Sequence, residues 1–431
     1  MKKPKKLNLF QEKYFLVLFT LKWLFIASII GFLAGSLSAL FLWSLKEVTH
    51  IREANLWIIW LLPIAGLIIG LSYHYLGKSV VKGNNQIIDE VLIPQNIINL
   101  KMTPLVLLGT IITHLFGGSA GREGTAIQMS SSVADQFTKL FKLKPRDRQI
   151  LLVMGMSAGF SSVFGTPLAG AVFAIEVLVI GRMRYEAILP SIISAALANI
   201  VCHWWGVGHT HYHIGEIPDV TLGIIVLCIG AGIVFGLSGA LFSKACHFWG
   251  KLFKNTIKYA PLRPMLGGVL LAIAVYFIGT TKYIGLGVPT IVQSFSEQMQ
   301  PWDFLLKILF TSFTLGAGFK GGEVTPLFYT GATLGSALSL VLPLPVGILA
   351  GMGFVAVFSG ATNTPIACTL MGIELFGIEG GIYIGIACIT AYVFSGHSGI
   401  YSSQKVGSPK HLFFYREKGL RLSQIKRKLH N

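Results

Sequence analysis

Charge is what this chain has least of: Asp, Glu, Lys and Arg make up 12% of its 431 residues, against roughly 25% in an ordinary soluble domain. With 53% hydrophobic residues and a mean hydropathy of +0.67, the composition excludes a soluble globular protein and reads as a polytopic membrane protein. Cysteine is also scarce. The five cysteines (Cys202, Cys228, Cys246, Cys368, Cys388) lie scattered in apolar sequence without CxxC spacing, which argues for buried free thiols over disulfides or a zinc site. No HExxH is present, and no cofactor is expected. Acidic residues number 18 against 35 basic ones, a net charge of +17, yet the excess does not form a nucleic-acid surface. It gathers in "MKKPKKLNLFQEK", in "REKGLRLSQIKRKLH" and in loops such as "KLFKLKPRDRQ", as positive-inside placement requires.

Apolar stretches such as Tyr14 to Leu45, Leu56 to Tyr75, Val220 to Phe242, Met265 to Gly279 and Gly380 to Phe394 are long enough, or nearly so, to cross roughly 30 Å of hydrocarbon. The first has no small-residue cleavage site and exceeds a signal core, so it is read as a retained helix. Other segments are broken by Gly or Pro. Irregular backbone survives at membrane depth only where it lines a cavity or is buried in protein, and a transporter or channel interior is the usual reason.

The two halves repeat each other. "GFLAGSLSALF" (31–41) matches "GIVFGLSGALF" (232–242) at Gly31/Gly232, at Gly35/Gly236 and in the closing Ala, Leu and Phe. "GTPLAGAVFAIE" (165–176) parallels "NTPIACTLMGIE" (363–374), ending in Glu176 and Glu374, and "GGSAGREGT" and "GGEVTP" fall at corresponding places. The first half follows a lysine-rich terminus, whereas the second follows "GVGHTHYHIGEIPDV", which lacks Lys and Arg, and its first helix runs into the basic "SKACHFWGKLFKNTIKYAPLRP". Opposite topologies follow. The organisation expected is a basic cytoplasmic N-terminus (1–13), a first membrane repeat (14–206), an extracellular linker (207–219), a second, inverted repeat (220–401) and a basic cytoplasmic tail (402–431). In such folds broken helices meet near the midplane with their positive N-terminal ends toward an anion.

"GGSAGREGTAIQ" (117–128) places Arg122 and Glu123 between glycines at membrane depth. A helix is expected to start at about Thr125 with its free N–H groups aimed back at Glu123, which competes with an anion for them. Arg122 is expected to point elsewhere, because adjacent helical residues do not face each other. This stretch, with "GTPLAGAVFAIE" and "GATNTPIACTLMGIE", resembles the CLC family of chloride channels and proton-coupled anion exchangers from about Phe15 to about Tyr401. The resemblance implies an all-α polytopic fold of two inverted repeats of tilted and re-entrant helices. It also implies a homodimer with a pathway in each subunit, surrounded by membrane lipid, and a gating role for Glu123. With about 30 residues after Tyr401, the regulatory domain of many eukaryotic members is not expected in this sequence.

Departures from the family pattern carry the rest. "KGNNQIID" puts Asn84 where chloride-type members have the serine of GSGIP, and "GGEVTP" puts Glu323 and Thr325, around Val324, where they have apolar residues of GxFxP. Thr125 replaces the proline of GREGP, and Val177 stands where chloride exchangers carry an inner proton-transfer glutamate. Together these resemble the fluoride-exporting branch. The resemblance implies a fluoride/proton antiporter of a prokaryotic plasma membrane, with both termini cytoplasmic. The implied site is Glu123 as gate and proton carrier, with Asn84, Gly124, Thr125, Ala126, Glu323, Val324, Thr325 and Tyr401 along the anion pathway. Fluoride is strongly hydrated, so donors must offset its desolvation; the Asn84 amide, the Thr325 hydroxyl and backbone N–H groups suit it. Glu323 can donate only when protonated, which like charge and desolvation both favour.

Plainer readings stand beside these. Glu323 as a helix cap, Asn84 and Asn85 as turn residues, Tyr401 as an interfacial aromatic, and Glu176 and Glu374 as fold residues are all ordinary uses. Asn85 is left outside the core site, and His209, His211 and His213 in "HTHYH" are read as a solvated or interfacial loop. Rival functions are a chloride/proton exchanger, a passive anion channel, and an intramembrane enzyme built on Ser119 or the histidines, which has little to support it.

Overall fold

The computed structural model describes residues 9–425, so six residues of the expected tail (426–431) and most of the basic N-terminus (1–8) lie outside the described residues. Within them the chain folds into two series of eight α-helices. The first comprises α1 (Leu9–Ala54), α2 (Leu62–Tyr75), α3 (Asn84–Leu92), α4 (Met102–Leu115), α5 (Glu123–Leu140), α6 (Pro145–Phe164), α7 (Pro167–Glu176) and α8 (Ile188–Trp204). The second repeats them as α9 (Leu222–Thr256), α10 (Leu262–Ile278), α11 (Val288–Gln293), α12 (Asp303–Ala317), α13 (Val324–Leu338), α14 (Val346–Thr362), α15 (Pro365–Phe376) and α16 (Gly381–Phe394). Among the described residues, four helical segments are long and apolar enough to cross a membrane: Lys13–Ala54, Leu56–Tyr75, Tyr185–Trp204 and Leu222–Thr256. At 1.5 Å per residue, the 46 residues of α1 span about 69 Å, more than twice the hydrocarbon thickness. The helix must tilt or project.

The matched glycines do matching jobs. A Cβ at Gly35 of α1 would stand 2.5 Å from the Ala198 carbonyl of α8, and one at Gly236 of α9 would stand 2.5 Å from the Ala391 carbonyl of α16. Lipid supplies no hydrophobic drive between helices, so close backbone approach at small residues holds the pairs. Outward faces carry Phe15, Leu16, Phe25 and Trp43, all exposed, while Phe160, Phe173, Phe328, Phe354 and Phe358 stack in the interior. All five cysteines are free, four of them buried.

Reciprocal caps join the two series. The Glu176 carboxylate, ending α7, accepts from the N–H groups of Ile366 (3.1 Å) and Ala367 (2.8 Å) at the start of α15. Glu374, in α15, accepts from Leu168 (2.9 Å) and Ala169 (2.8 Å) at the start of α7. Each repeat thus satisfies the free donors of the other's proline-started helix. Not everything is helical: two residues, Val179–Ile180, pair in parallel with Lys405–Val406 and tie the tail to the first repeat.

A candidate anion site between the repeats

The segment between α4 and α5 meets the segment between α12 and α13 at an antiparallel bridge. Gly121 N–H donates to the Gly322 carbonyl (2.6 Å) and Gly322 N–H to that of Gly121 (2.8 Å). A Cβ at Gly121 would meet the Gly322 carbonyl at 3.0 Å, and one at Gly322 would meet the Gly124 nitrogen at 2.9 Å, so only glycine lets the loops cross. Two helix N-termini are thereby brought face to face from opposite repeats.

Glu123 is the first residue of α5 and wholly buried. Its carboxylate accepts from the Thr325 N–H (3.1 Å) and the Thr325 hydroxyl (2.7 and 2.8 Å), in the first turn of α13. The expected arrangement, a helix from Thr125 with its own N–H groups aimed at Glu123, is therefore corrected. The helix starts two residues earlier, and side chains on it lean toward its N-terminus and away from its own interior donors. The carboxylate leaves α5 and lands on the other repeat. Arg122 also departs from expectation: its Nε lies 3.6 Å from Glu123 Oε1, and its N–H is 3.3 Å from Oε2. Arg122 occupies the N-cap with φ −121°, outside the helix, so the rule separating helical neighbours does not bind it.

The other residues gather around Gly124. A Cβ there would lie 2.9 Å from Asn84 Nδ2 and 3.8 Å from Glu323 Oε2, so α3, α5 and the N-cap of α13 share one small space. Asn84 begins α3 after Gly83, whose φ of 55° and ψ of −129° suit glycine alone; its Oδ1 has no hydrogen-bond partner among the described residues. Glu323 holds the N-cap position but makes no side-chain cap hydrogen bond. Val324 and Ala126 are fully buried. The N–H groups of Thr125 and Ala126, expected as free donors, bond instead to the Arg122 carbonyl (3.1 and 3.2 Å), and the Thr125 hydroxyl pairs with Thr110 at 2.8 Å. An early helix start has used donors that a start at Thr125 would have left open.

Tyr401 is buried, with a hydroxyl that finds no partner among the described residues. Asn85, placed outside the site from sequence, holds the Tyr401 segment to α3: its Oδ1 accepts from Ser403 N–H (2.9 Å) and the Ser402 hydroxyl (3.3 Å). Sequence reasoning missed Gln128 altogether. Its amide donates to the Gly124 carbonyl (3.2 Å), and its Oε1 lies 3.0 Å from the Cβ position of Gly83, bracing both sides of the space. A further brace is Arg148 of α6, which forks onto Asp135 of α5 (2.7 Å) and reaches Glu90 of α3 (2.9 Å). Its place in a loop-like basic run concealed this, because its acidic partners lie on other helices, α3 and α5.

Val177 is apolar, buried and adjacent to Glu176, and Gln404 donates to its carbonyl (2.7 Å). His209 bonds the Ser162 carbonyl at 3.1 Å, while His211 and His213 are exposed in the loop; no group of three or more metal-ligating side chains occurs among the described residues.

The family model for voltage gated chloride channels matches residues 65–396, well over half of the chain. The chain belongs to the CLC family. It is 55% identical, over 96% of its length and 93% of the relative's, to the "Chloride/fluoride channel protein" of Pseudomonas syringae pv. tomato. It superposes with a TM-score of 0.87 and 32% identity on a crystal structure of "a CLC-type fluoride/proton antiporter", covering 93% of this chain and 100% of that one. A slow cyanobacterial Cl-/H+ antiporter at 20% identity, covering 86% and 94%, shares the fold with a TM-score of 0.75. This is a multi-pass membrane protein of a family of anion transporters and channels, and the CLC fold with its inverted repeats is the one its sequence leads a reader to expect.

Proposed function

We propose that this CLC protein exports fluoride in exchange for protons, and the observation that carries the reading is the contact of Glu123 with Thr325. An ionised Glu123 fills the donors at the start of α13, where charge and the free N–H groups of a helix N-terminus favour an anion. Proton uptake neutralises the carboxylate and removes most of that advantage. The side chain then leaves, and fluoride accepts from the Thr325 N–H and hydroxyl with the Asn84 amide beside it. Glu323 borders the same space and, when protonated, adds an O–H donor. Release of that proton to the opposite side ionises Glu123 again, and its return expels the fluoride, so one group is gate and proton carrier. Tyr401, buried with an unpartnered hydroxyl, lines the inner side of the pathway in this reading. Gly124 keeps the space open, since any side chain there would fill it.

The same reading has the protein in a prokaryotic plasma (inner) membrane with both termini cytoplasmic, as a homodimer with a pathway in each subunit. Support comes from the Asn84, Glu323 and Thr325 replacements and from the likeness to the Pseudomonas relative and to the fluoride/proton antiporter. The test is flux from liposomes loaded with fluoride or chloride, with anion efflux and proton uptake recorded together. Fluoride efflux should bring proton uptake and exceed chloride efflux at least about tenfold. Comparable halide rates would sink the selectivity, and fluoride efflux without proton movement would favour a passive channel.

A further inference from the structure

Two cavities occupy places related by the repeat, and their linings have diverged. One, of 490 Å³, lies where α10 ends and α1 finishes, lined by Trp57, Trp60, Tyr276 and Arg52. Its mate, of 330 Å³, lies where α2 ends, α9 finishes and α10 begins, lined by His74, Lys78, Lys254, Arg263 and Lys320. No Asp or Glu lines the second cavity, and none of its Lys or Arg residues forms an ion pair among the described residues. Lys320 stands deepest, its Nζ 3.9 Å from the centre of the Tyr73 ring, while Lys78 and Lys254 are exposed at the rim. The Arg263 guanidinium is held in place by the carbonyls of Ile257 (2.8 Å) and Lys258 (3.2 Å).

Uncompensated cations gathered around a concavity attract an anion, and the surroundings say which kind. Leu76, Val81, Leu252 and Leu266, beside the cavity in the chain, are 57%, 58%, 42% and 40% exposed, so apolar surface able to carry acyl chains flanks the charged mouth. The basic segment 243–264 ends here, and basic pockets between membrane helices on such a face suit anionic headgroups. We propose that this cavity binds the phosphate headgroup of an anionic phospholipid, with Lys320 and Arg263 on the phosphate and Lys78 and Lys254 at the rim. The mate cavity, walled by tryptophan and tyrosine, has one cation, Arg52, which is spent on the His114 carbonyl (3.1 Å).

Native mass spectrometry of the full-length protein, titrated with dioctanoyl phosphatidylglycerol, dioctanoyl phosphatidylcholine or inorganic phosphate, tests this. Phosphatidylglycerol should be retained, with phosphatidylcholine bound at least about tenfold more weakly. Lys78→Gln/Lys254→Gln/Arg263→Gln should weaken phosphatidylglycerol by at least about tenfold, given about fivefold per cation near a membrane surface. The triple change Lys139→Gln/Lys144→Gln/Arg146→Gln, which removes the same charge from exposed positions outside the cavity, should leave binding unchanged. If the first variant does not fold, Gly250→Leu replaces it: a Cβ at Gly250 meets nothing within 4 Å, so a leucine side chain takes up part of the cavity with every charge kept and should weaken retention at least about tenfold. Equal retention of phosphatidylcholine, equal loss in both triple variants, undiminished retention in Gly250→Leu, or displacement of the lipid by millimolar inorganic phosphate would each overturn the assignment.

Discussion

The two repeats agree at one pair of glutamates and disagree at another. Glu176 and Glu374 each cap the opposite repeat's helix through two N–H groups at nearly the same distances. At the crossing loops the backbone is equally symmetric, Gly121 and Gly322 exchanging two hydrogen bonds, but the side chains that follow are not. Arg122, Glu123, Gly124 and Thr125 on one side face Glu323, Val324, Thr325 and Pro326 on the other. Glu123 therefore finds Thr325, whereas Thr125 turns to Thr110. Symmetric backbone builds the crossing of two helix N-termini; asymmetric side chains set the Glu123 carboxylate on the donors of Thr325.

The sharpest way to break this comparison is Glu123→Gln. Removing the carboxylate that crosses between the repeats at the loops should abolish fluoride-driven proton uptake in liposomes outright, whether or not fluoride still leaks. Proton pumping that persists would refute the role of Glu123 as gate and proton carrier. Asn84→Asp comes next, because a fixed negative charge about 4 Å from a bound anion costs about 4 kcal/mol at an effective dielectric of 20. Fluoride binding by calorimetry should fall roughly a thousandfold; unchanged affinity would place Asn84 outside the pathway.

Symmetry itself is probed by Glu176→Ala and Glu374→Ala. Each orphans two N–H groups, one of them on a buried alanine (Ala367 or Ala169) and the other on an exposed residue (Ile366 or Leu168), at about 1–3 kcal/mol per buried donor. The two variants should lose similar amounts of thermal stability while keeping the halide ratio; a large loss in one alone would show that the caps are not equivalent. Thr325→Val keeps the N–H contact to Glu123 and removes the hydroxyl, a charge-assisted bond of about 1.5–3 kcal/mol, so the coupling ratio should drift while folding persists. The smallest expected effect is Glu323→Ala, a change of about tenfold or less in the fluoride-to-chloride ratio, and larger than that of Val324→Ala. If both flux and ratio are untouched, Glu323 is only the residue that precedes a helix.

Much of the fold is legible in the order of the amino acids alone. Repeated glycines at Gly31/Gly232 and Gly35/Gly236 disclose the duplication, because close helix packing in lipid leaves that residue little alternative. The glycine-flanked charge of "GREGT" marks Glu123. Less legible are contacts made across the repeat. Nothing local to Glu123 names Thr325, some two hundred positions away, and nothing in "NNQ" says that Asn85 would clasp the Tyr401 segment while Asn84 faces Gly124. Gln128 and Arg148 escape notice because polar residues on a helix declare a function only when their partners are in view.

What the sequence by itself determined is the solvent and the plan: low charge and long apolar runs require a bilayer, and repeated small-residue motifs with opposed basic flanks require two inverted halves. What only the tertiary structure decided is which N–H groups receive the Glu123 carboxylate. A helix leaves its first N–H groups unpaired wherever it starts. Which acceptor reaches them depends on the crossing of two loops at Gly121 and Gly322 and on the lean of a side chain toward the start of its own helix. That geometry took Glu123 away from α5 and gave it to Thr325.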